Sequence, residues 1–200
     1  MTHFLRRQIL LVQGFAAATV LFLAPFAHAQ TVDSVPRAHS QVTVRLYDTA
    51  QLSPRIMNAA LTAAARALSG AVDASWRYPG GTDARESGEL VVRLGRCRES
   101  ATSGFVLGEA VIDLALGTGV YATVYVDRVE AMADRAKSEM APLLGRAIAH
   151  EVGHLLLRTN SHSASGLMRA NWTPENVRRN QAGDWLLTKD DIDAIRERRR

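Results

Sequence analysis

Polar and apolar residues alternate along several segments in the first two thirds of the chain. From Gln41 to Tyr47, apolar residues at every second position predict a half-buried strand with Arg45 on its polar side. Gly117 and Gly119 predict a hairpin connection between two later strands. In all, four further strands are predicted, over residues 72–78, 90–94, 105–114 and 120–126.

Apolar residues three or four positions apart predict helices in the rest of the chain. The first begins after Ser53, an N-cap followed by Pro54, and ends near Leu68. Thr173 and Thr188 are predicted N-caps of two late helices. Two more helices are predicted over residues 129–140 and 143–157. This order predicts an α+β fold, a single small domain with one sheet of about four to five strands packed on helices.

The first 29 residues have the pattern of a secretory signal peptide. Arg6 and Arg7 precede an apolar run that ends at Phe26, and Ala27-His28-Ala29 places small residues where signal peptidase requires them. We expect cleavage after Ala29, a flexible lead-in over residues 30–40 and one domain over residues 41–200. The mature protein would then be exported, periplasmic or secreted, with no membrane attachment. A retained anchor is the alternative, because about 18 apolar residues approach the length of a membrane span.

Composition and charge exclude several classes of protein. A hydrophobic fraction of 47% and a charged fraction of 22% are ordinary for a globular domain. The formal net charge is +4, and without Arg6 and Arg7 the chain has 22 basic against 20 acidic residues. We therefore expect no nucleic-acid partner. We also expect the protein to be a monomer. Cys97 is the single cysteine, which excludes an intramolecular disulfide.

The chemistry is indicated by His150-Glu151-Val152-Gly153-His154, which lies within the predicted helix over 143–157. Residues four apart on a helix share one face, so the two imidazoles can bind one zinc ion. Zinc lowers the pKa of a bound water to about 7. Glu151 can take the proton of that water as general base and return it to the leaving nitrogen as general acid. Two helix histidines in an ordinary buried element, without a metal, are the alternative interpretation.

A catalytic zinc site needs a third protein ligand. His162, eight residues after His154 and just past the helix, is the first candidate. Glu175, twenty-one residues after His154, is the second, although a carboxylate there also suits the first turn of a helix that begins after Thr173. The sequence leaves both open.

From His150 to Met168 the chain resembles the metzincin clan of zinc metallopeptidases. The resemblance implies a mixed sheet before the active-site helix, zinc held by His150, His154 and His162, and Met168 in a tight turn beneath the metal. It also implies that a peptide lies extended along the strand over 105–114. The clan has glycine where this chain has Leu157, and its third histidine would fall at Asn160, two residues before His162. Asn160 is expected to end the helix in the left-handed conformation. Glu175 resembles the third ligand of the thermolysin-like gluzincins.

The sequence thus predicts an exported zinc metalloendopeptidase, a hydrolase that takes a peptide or protein substrate. A non-catalytic zinc-binding periplasmic module and a cell-wall peptide amidase are the alternatives. Cys97 could bind the zinc and hold the enzyme latent, but a structural role is favoured for a lone thiol at a strand end. Trp172 and Trp185 could wall a specificity pocket, although core packing is favoured for both.

Overall fold

The computed structural model describes residues 40–80, 86–97, 106–113 and 115–199. The strands in these ranges are β1 (Ser40–Asp48), β2 (Val72–Arg77), β3 (Leu90–Gly95), β4 (Gly108–Asp113) and β5 (Thr118–Tyr125). They form one mixed sheet in the order β2-β1-β3-β5-β4. Neighbouring strands are parallel except for β4, which pairs antiparallel with β5 and forms one edge. The predicted α+β fold with one mixed sheet is confirmed.

Five α-helices and one short 3-10 helix accompany the sheet in the described residues. Thr173 and Thr188 are N-caps as predicted, and each forms a capping box with the residue three positions later. The helices are α1 (Pro54–Leu68), α2 (Val126–Ala136), α3 (Met140–Leu157), α4 (Pro174–Arg179) and α5 (Lys189–Arg198), with the 3-10 turn over Ala182–Trp185.

Several predicted boundaries are wrong. The helix predicted over 129–140 ends at Ala136, because Lys137 adopts the left-handed conformation with φ of 53°. Met140 begins α3 instead, which leaves Pro142 in the first turn, where a missing N–H costs no hydrogen bond. The strand predicted over 120–126 ends at Tyr125, and Val126 begins α2.

Strand β1 is half-buried as predicted, with Val42, Val44 and Leu46 buried on one face and Gln41 and Tyr47 exposed on the other, but Arg45 departs from this pattern. Arg45, expected on a polar side, is 0% exposed. Its Nε donates to Glu89 Oε2 at 2.9 Å, and the two residues meet because β1 and β3 are neighbours in the sheet. The guanidinium is therefore paired inside the sheet.

Helix α3 is the central helix of the core, which is why it can hold side chains rigidly. Gly145 lets it approach α1 so closely that a Cβ at this position would lie 2.1 Å from the carbonyl oxygen of Ala60. Helix α3 also packs on β4 and β5. The second half of the helix, which contains both predicted zinc-binding histidines, is consequently fixed between α1 and the edge of the sheet.

The predicted signal peptide over 1–29 and nearly all of the predicted lead-in lie outside the described residues, as do Phe105 and Leu114. Ser40, the last residue of the predicted lead-in, begins β1. All described residues belong to one compact unit. None of the helices in the described ranges has the length and apolar character of a membrane span.

Candidate metal centre

Helix α3 places His150 and His154 one turn apart on the same face. Their Nε2 atoms are 3.1 Å apart, and the two rings meet edge to face with centroids 4.7 Å apart. His154 is 5% exposed, and His150 is half-buried. The helical spacing that the sequence indicated therefore brings two ring nitrogens to the same point.

Two backbone carbonyls fix the tautomers of these rings. His150 Nδ1 lies 2.8 Å from the carbonyl oxygen of Leu167, and His154 Nδ1 lies 2.8 Å from that of Thr159. A carbonyl oxygen only accepts, so each Nδ1 donates its hydrogen and each Nε2 of a neutral ring has a lone pair. Two lone pairs at 3.1 Å repel each other unless a cation lies between them.

His162 completes a three-histidine group. One ligand nitrogen from each of the three rings can be chosen so that all lie within 4.8 Å of one another. Its ring is 4.8 Å from that of His154 and 5.4 Å from that of His150, centroid to centroid. His162 is exposed, so this side of the group faces the solvent.

The end of α3 explains how His162 returns to the helix. Arg158 takes the left-handed conformation with φ of 51°, and its backbone N–H donates to the carbonyl oxygen of His154. The expectation that Asn160 takes this conformation is wrong, since Asn160 is absent from the positive-φ residues of the described chain. Because the chain turns two residues earlier than expected, the segment from Thr159 to His162 is long enough to bring the third ring back.

Burial keeps the imidazoles of His150 and His154 neutral, as zinc binding requires. Burial first, and then the neighbouring His154 and His162, lower the pKa of His150 to about 4. Burial likewise lowers the pKa of His154 below its usual value. Zinc bound tetrahedrally at 2.0–2.1 Å separates two ligand nitrogens by about 3.3–3.4 Å. The observed 3.1 Å between the two Nε2 atoms is close to that separation, so the donor set fits this ion.

Glu151 lies beside the group, 5% exposed and against the edge strand. A Cβ at Gly108 of β4 would lie 2.7 Å from Glu151 Oε1, so the close approach of strand and carboxyl depends on glycine. Burial, with a smaller contribution from the charge of Glu109, raises the pKa of Glu151 to about 8. A carboxyl with a pKa near neutrality can both accept and return a proton.

Met168 packs against α3 at Gly153, the residue before His154. It is 0% exposed, and a Cβ at Gly153 would lie 2.4 Å from its Sδ. The turn that contains it is fixed by hydrogen bonds from Ser163 N to Met168 O and from Leu167 N to Leu186 O. Gly153 therefore makes room for Met168.

The structure places the other candidates away from the three histidines. Glu175 is outside the group and pairs with Arg178 and Arg179 on its own helix. Cys97 is half-buried at the end of β3, where Arg128 Nη2 lies 3.2 Å from its Sγ. It does not line the cleft at the histidines. Of the candidates for a third donor, the fold brings only His162 to the pair.

A cleft of about 380 Å³ opens over the three histidines. Strand β4 contributes one wall and the segment 169–172 another. Trp172 lies edge-on to His150 with ring centroids 5.4 Å apart, so it belongs to the site, while Trp185 is 3% exposed behind it. The lining residues are Val106, Leu107, Gly108, Glu109, Ala110, Ala147, His150, Glu151, His154, Asn160, His162, Arg169, Ala170, Asn171 and Trp172.

Sequence reasoning missed two residues of this cleft, Gly108 and Arg169. Gly108 had no signal, because a single glycine at the start of a strand is also typical of ordinary turns. Arg169 directly follows Met168, and its proximity to that residue could have singled it out.

No protein-family model and no curated protein matches the sequence. Among solved structures, the chain is similar to archaemetzincin from Methanopyrus kandleri, with a TM-score of 0.51 and 15% identity, over 82% of this chain and 98% of that one. It is also similar to metalloproteinase-II from Bacteroides fragilis, with a TM-score of 0.49 and 16% identity, over 82% of this chain and 55% of that one. At this identity, the similarity to archaemetzincin shows a shared fold.

Proposed function

We propose that this chain is an exported zinc-dependent metallopeptidase that hydrolyses peptide bonds. The observation that carries the proposal is the three-histidine group, in which the Nε2 atoms of His150 and His154 lie 3.1 Å apart. Neutral imidazoles held by backbone carbonyls are the ligands that zinc prefers, and an exposed third histidine leaves the site open to substrate. The shared fold with archaemetzincin supports the same function.

His150, His154 and His162 would hold the zinc, which when bound supplies Lewis-acid polarisation of a carbonyl and a lowered pKa for water. Glu151 serves as the proton carrier. Its carboxylate accepts a proton from the attacking water and then donates it to the leaving amide nitrogen. Helix α3 and the close approach of Gly108 on β4 restrict where this carboxyl can lie.

Strand β4 would position the substrate. It is the edge of the sheet, and the segment 106–110 lines the cleft. An extended peptide can pair with the free side of such a strand through main-chain hydrogen bonds, which places its carbonyl groups near Glu151. Main-chain pairing of this kind suits peptides and unfolded protein segments.

The first experiment replaces Glu151 with glutamine and measures zinc content and cleavage of a mixed peptide library. The parent is expected to bind one zinc per chain and to cleave peptides. The Glu151→Gln variant should keep the zinc and lose at least 100-fold in kcat/KM, by the magnitude of general acid–base catalysis. Equal cleavage by variant and parent would contradict the mechanism. A parent protein that binds zinc but cleaves no peptide would favour a non-catalytic zinc-binding module. A parent protein that digests peptidoglycan but not the peptide library would favour a cell-wall peptide amidase.

The third ligand is tested by a matched pair of alanine variants. His162→Ala should weaken zinc binding strongly, because it removes one of three protein donors. Glu175→Ala should leave zinc binding unchanged, since this carboxylate pairs with arginines on the surface of α4. Competition with a chromogenic chelator measures the zinc affinity of each variant. A loss of affinity in Glu175→Ala but not in His162→Ala would support Glu175 as the third ligand instead.

Export rests on the leader over residues 1–29. Arg6 and Arg7, the apolar run after them and Ala27-His28-Ala29 support secretion and cleavage after Ala29. The full chain expressed in a bacterial host should yield a periplasmic or secreted protein whose first residue is Gln30. N-terminal sequencing reads this directly. Recovery of the uncut chain in the membrane fraction would show a retained anchor.

A further inference from the structure

Beside the metal centre lies a cluster of buried hydrogen-bond donors that no protein group satisfies. In the described ranges, the buried side-chain nitrogens and oxygens without a partner are Nε and Nη2 of Arg169 and the indole Nε1 atoms of Trp172 and Trp185. These residues touch one another, with 5.1 Å between the indole centroids and 5.2 Å from Arg169 Cζ to the Trp185 ring. An unsatisfied buried donor costs about 1–3 kcal/mol, so an acceptor that reached these donors would be stabilising.

Two of the three residues line the cleft. Arg169 and Trp172 form part of the wall over 169–172, and Trp172 contacts the ring of His150. The Arg169 side chain lines the cleft and is 14% exposed, and its nitrogens without a partner are in the buried part of the side chain. The unsatisfied donors are thus next to the place where a bound peptide would lie.

The charges on this wall call for an anion. Arg169 Nη1 lies 3.2 Å from Asp184 Oδ1, and this is the carboxylate that compensates it. Arg146 stacks on the other indole of the cluster, with its Cζ 4.2 Å from the centre of the Trp185 ring, and its Nη2 hydrogen-bonds the neutral amide of Asn180. Of these two guanidinium groups in the described residues, only that of Arg169 is paired with a carboxylate. A second carboxylate would balance the charge and, with two oxygens, match a planar guanidinium fork.

We propose that Arg169 and Trp172 form a carboxylate-binding subsite that holds a carboxylate of the peptide substrate beside the metal centre. Arg169 donates from Nε and Nη2, and Trp172 donates from Nε1. Assigning the ligand to a substrate rests on the proposed peptidase function. Either the free C-terminus of a peptide or an Asp or Glu side chain supplies this group, and the choice determines whether the enzyme trims chain ends or cuts beside acidic residues.

The test measures peptide binding to the Glu151→Gln protein, so that no peptide is cleaved. Three kinds of N-acetylated tetrapeptide probe are used. The first is neutral with an amidated C-terminus, and the second is the same peptide with a free C-terminus. The third is a set of amidated peptides in which a single Glu stands at each position in turn. At least one carboxylate probe should bind about 10-fold more tightly than the neutral probe, as expected for a charged hydrogen bond. The free C-terminal probe and the Glu set distinguish the two sources.

Arg169→Gln, added to that background, should reduce the preference to less than about 2-fold. Arg178→Gln is the matched control, because Arg178 is 56% exposed on α4 and does not line the cleft. Trp172→Phe keeps the aromatic contact but removes one donor, and it should reduce the preference in part. If Arg169→Gln does not fold, Trp172→Phe decides.

The titrations are repeated after zinc removal, because a carboxylate can also bind the metal. A preference that persists without zinc and disappears with Arg169→Gln supports the subsite. No preference for any carboxylate probe, or one that Arg169→Gln leaves intact, overturns it. The two proposals fail separately. A preference for carboxylate probes, together with a parent protein that cleaves no peptide, would contradict the peptidase function and support the subsite. Cleavage by the parent without such a preference would support the peptidase function and contradict the subsite.

Discussion

Replacing Gly153 with alanine tests whether Met168 is packed tightly beneath the two histidines. The new Cβ would lie 2.4 Å from Met168 Sδ, whereas ordinary contacts between nonbonded atoms are about 3.5–4.0 Å. One of the two must therefore move by more than about 1 Å. Met168 cannot retreat freely, since Ser163 N and Leu186 O fix its turn. Overpacking of this kind costs about 1–3 kcal/mol, against about 1 kcal/mol gained from helix propensity.

A double-mutant cycle separates these two contributions. Met168→Ala alone should destabilise the protein by about 2–5 kcal/mol. In that background the clash is gone, so Gly153→Ala should stabilise by about 1 kcal/mol through helix propensity. The effect of Gly153→Ala should thus differ between the two backgrounds by about 1–3 kcal/mol.

Urea unfolding of the zinc-free protein in EDTA measures the free energies without a contribution from the metal. Gly183→Ala is the control, because nothing lies within 4 Å of a Cβ at that position. A second readout is zinc affinity, which should fall about 10- to 100-fold for Gly153→Ala as the Leu167 carbonyl that orients His150 shifts with its neighbour. Equal effects of Gly153→Ala in the two backgrounds would refute tight packing of Met168.

Three further predictions concern the fold around the site. Gly145→Ala should destabilise by about 3 kcal/mol or more in urea unfolding, since its Cβ would meet the backbone oxygen of Ala60 at 2.1 Å and neither helix can yield locally. Thr188→Ala should cost about 1 kcal/mol in the same assay by removing the cap of α5. Burial raises the pKa of Glu89, but its hydrogen bond with Arg45 and nearby positive charges hold it below its usual value of 4.5 overall. Its stabilising contribution is therefore present above that value and lost as pH falls through the lower folded pKa, so Glu89→Gln should flatten the acid limb of a pH-dependent unfolding curve.

Local chemistry made part of this fold predictable. A capping box at Thr188 needs only the residue three positions later, and the spacing of His150 and His154 needs only the helical period. Both features are encoded within one turn of chain. The order of apolar segments likewise predicted one sheet and its helices, because each segment had to bury a single face or stripe.

Features that depend on distant partners were not predictable. Arg45 looked like a polar residue on an exposed strand face, and only the placement of β3 beside β1 brings Glu89, 44 positions later in the chain, to its guanidinium. Two left-handed residues that follow helices were missed for a related reason: Lys137 ends α2 earlier than predicted, and Arg158 follows α3 in the conformation expected at Asn160. Both residues take the left-handed conformation without being glycine, a modest local cost that tertiary packing offsets.

The candidate metal centre combines both kinds of information. The pattern of side chains identifies the candidate ligands, but the carbonyl oxygens of Leu167 and Thr159 select the tautomers that turn both Nε2 lone pairs toward one point. Any residue can provide a backbone carbonyl, so the sequence does not indicate which carbonyls orient the two histidines. The same reasoning accounts for His162: what matters for a third ligand is where the chain leaves the helix, and the left-handed turn at Arg158 compensates for a histidine that stands two residues later than the resemblance implied.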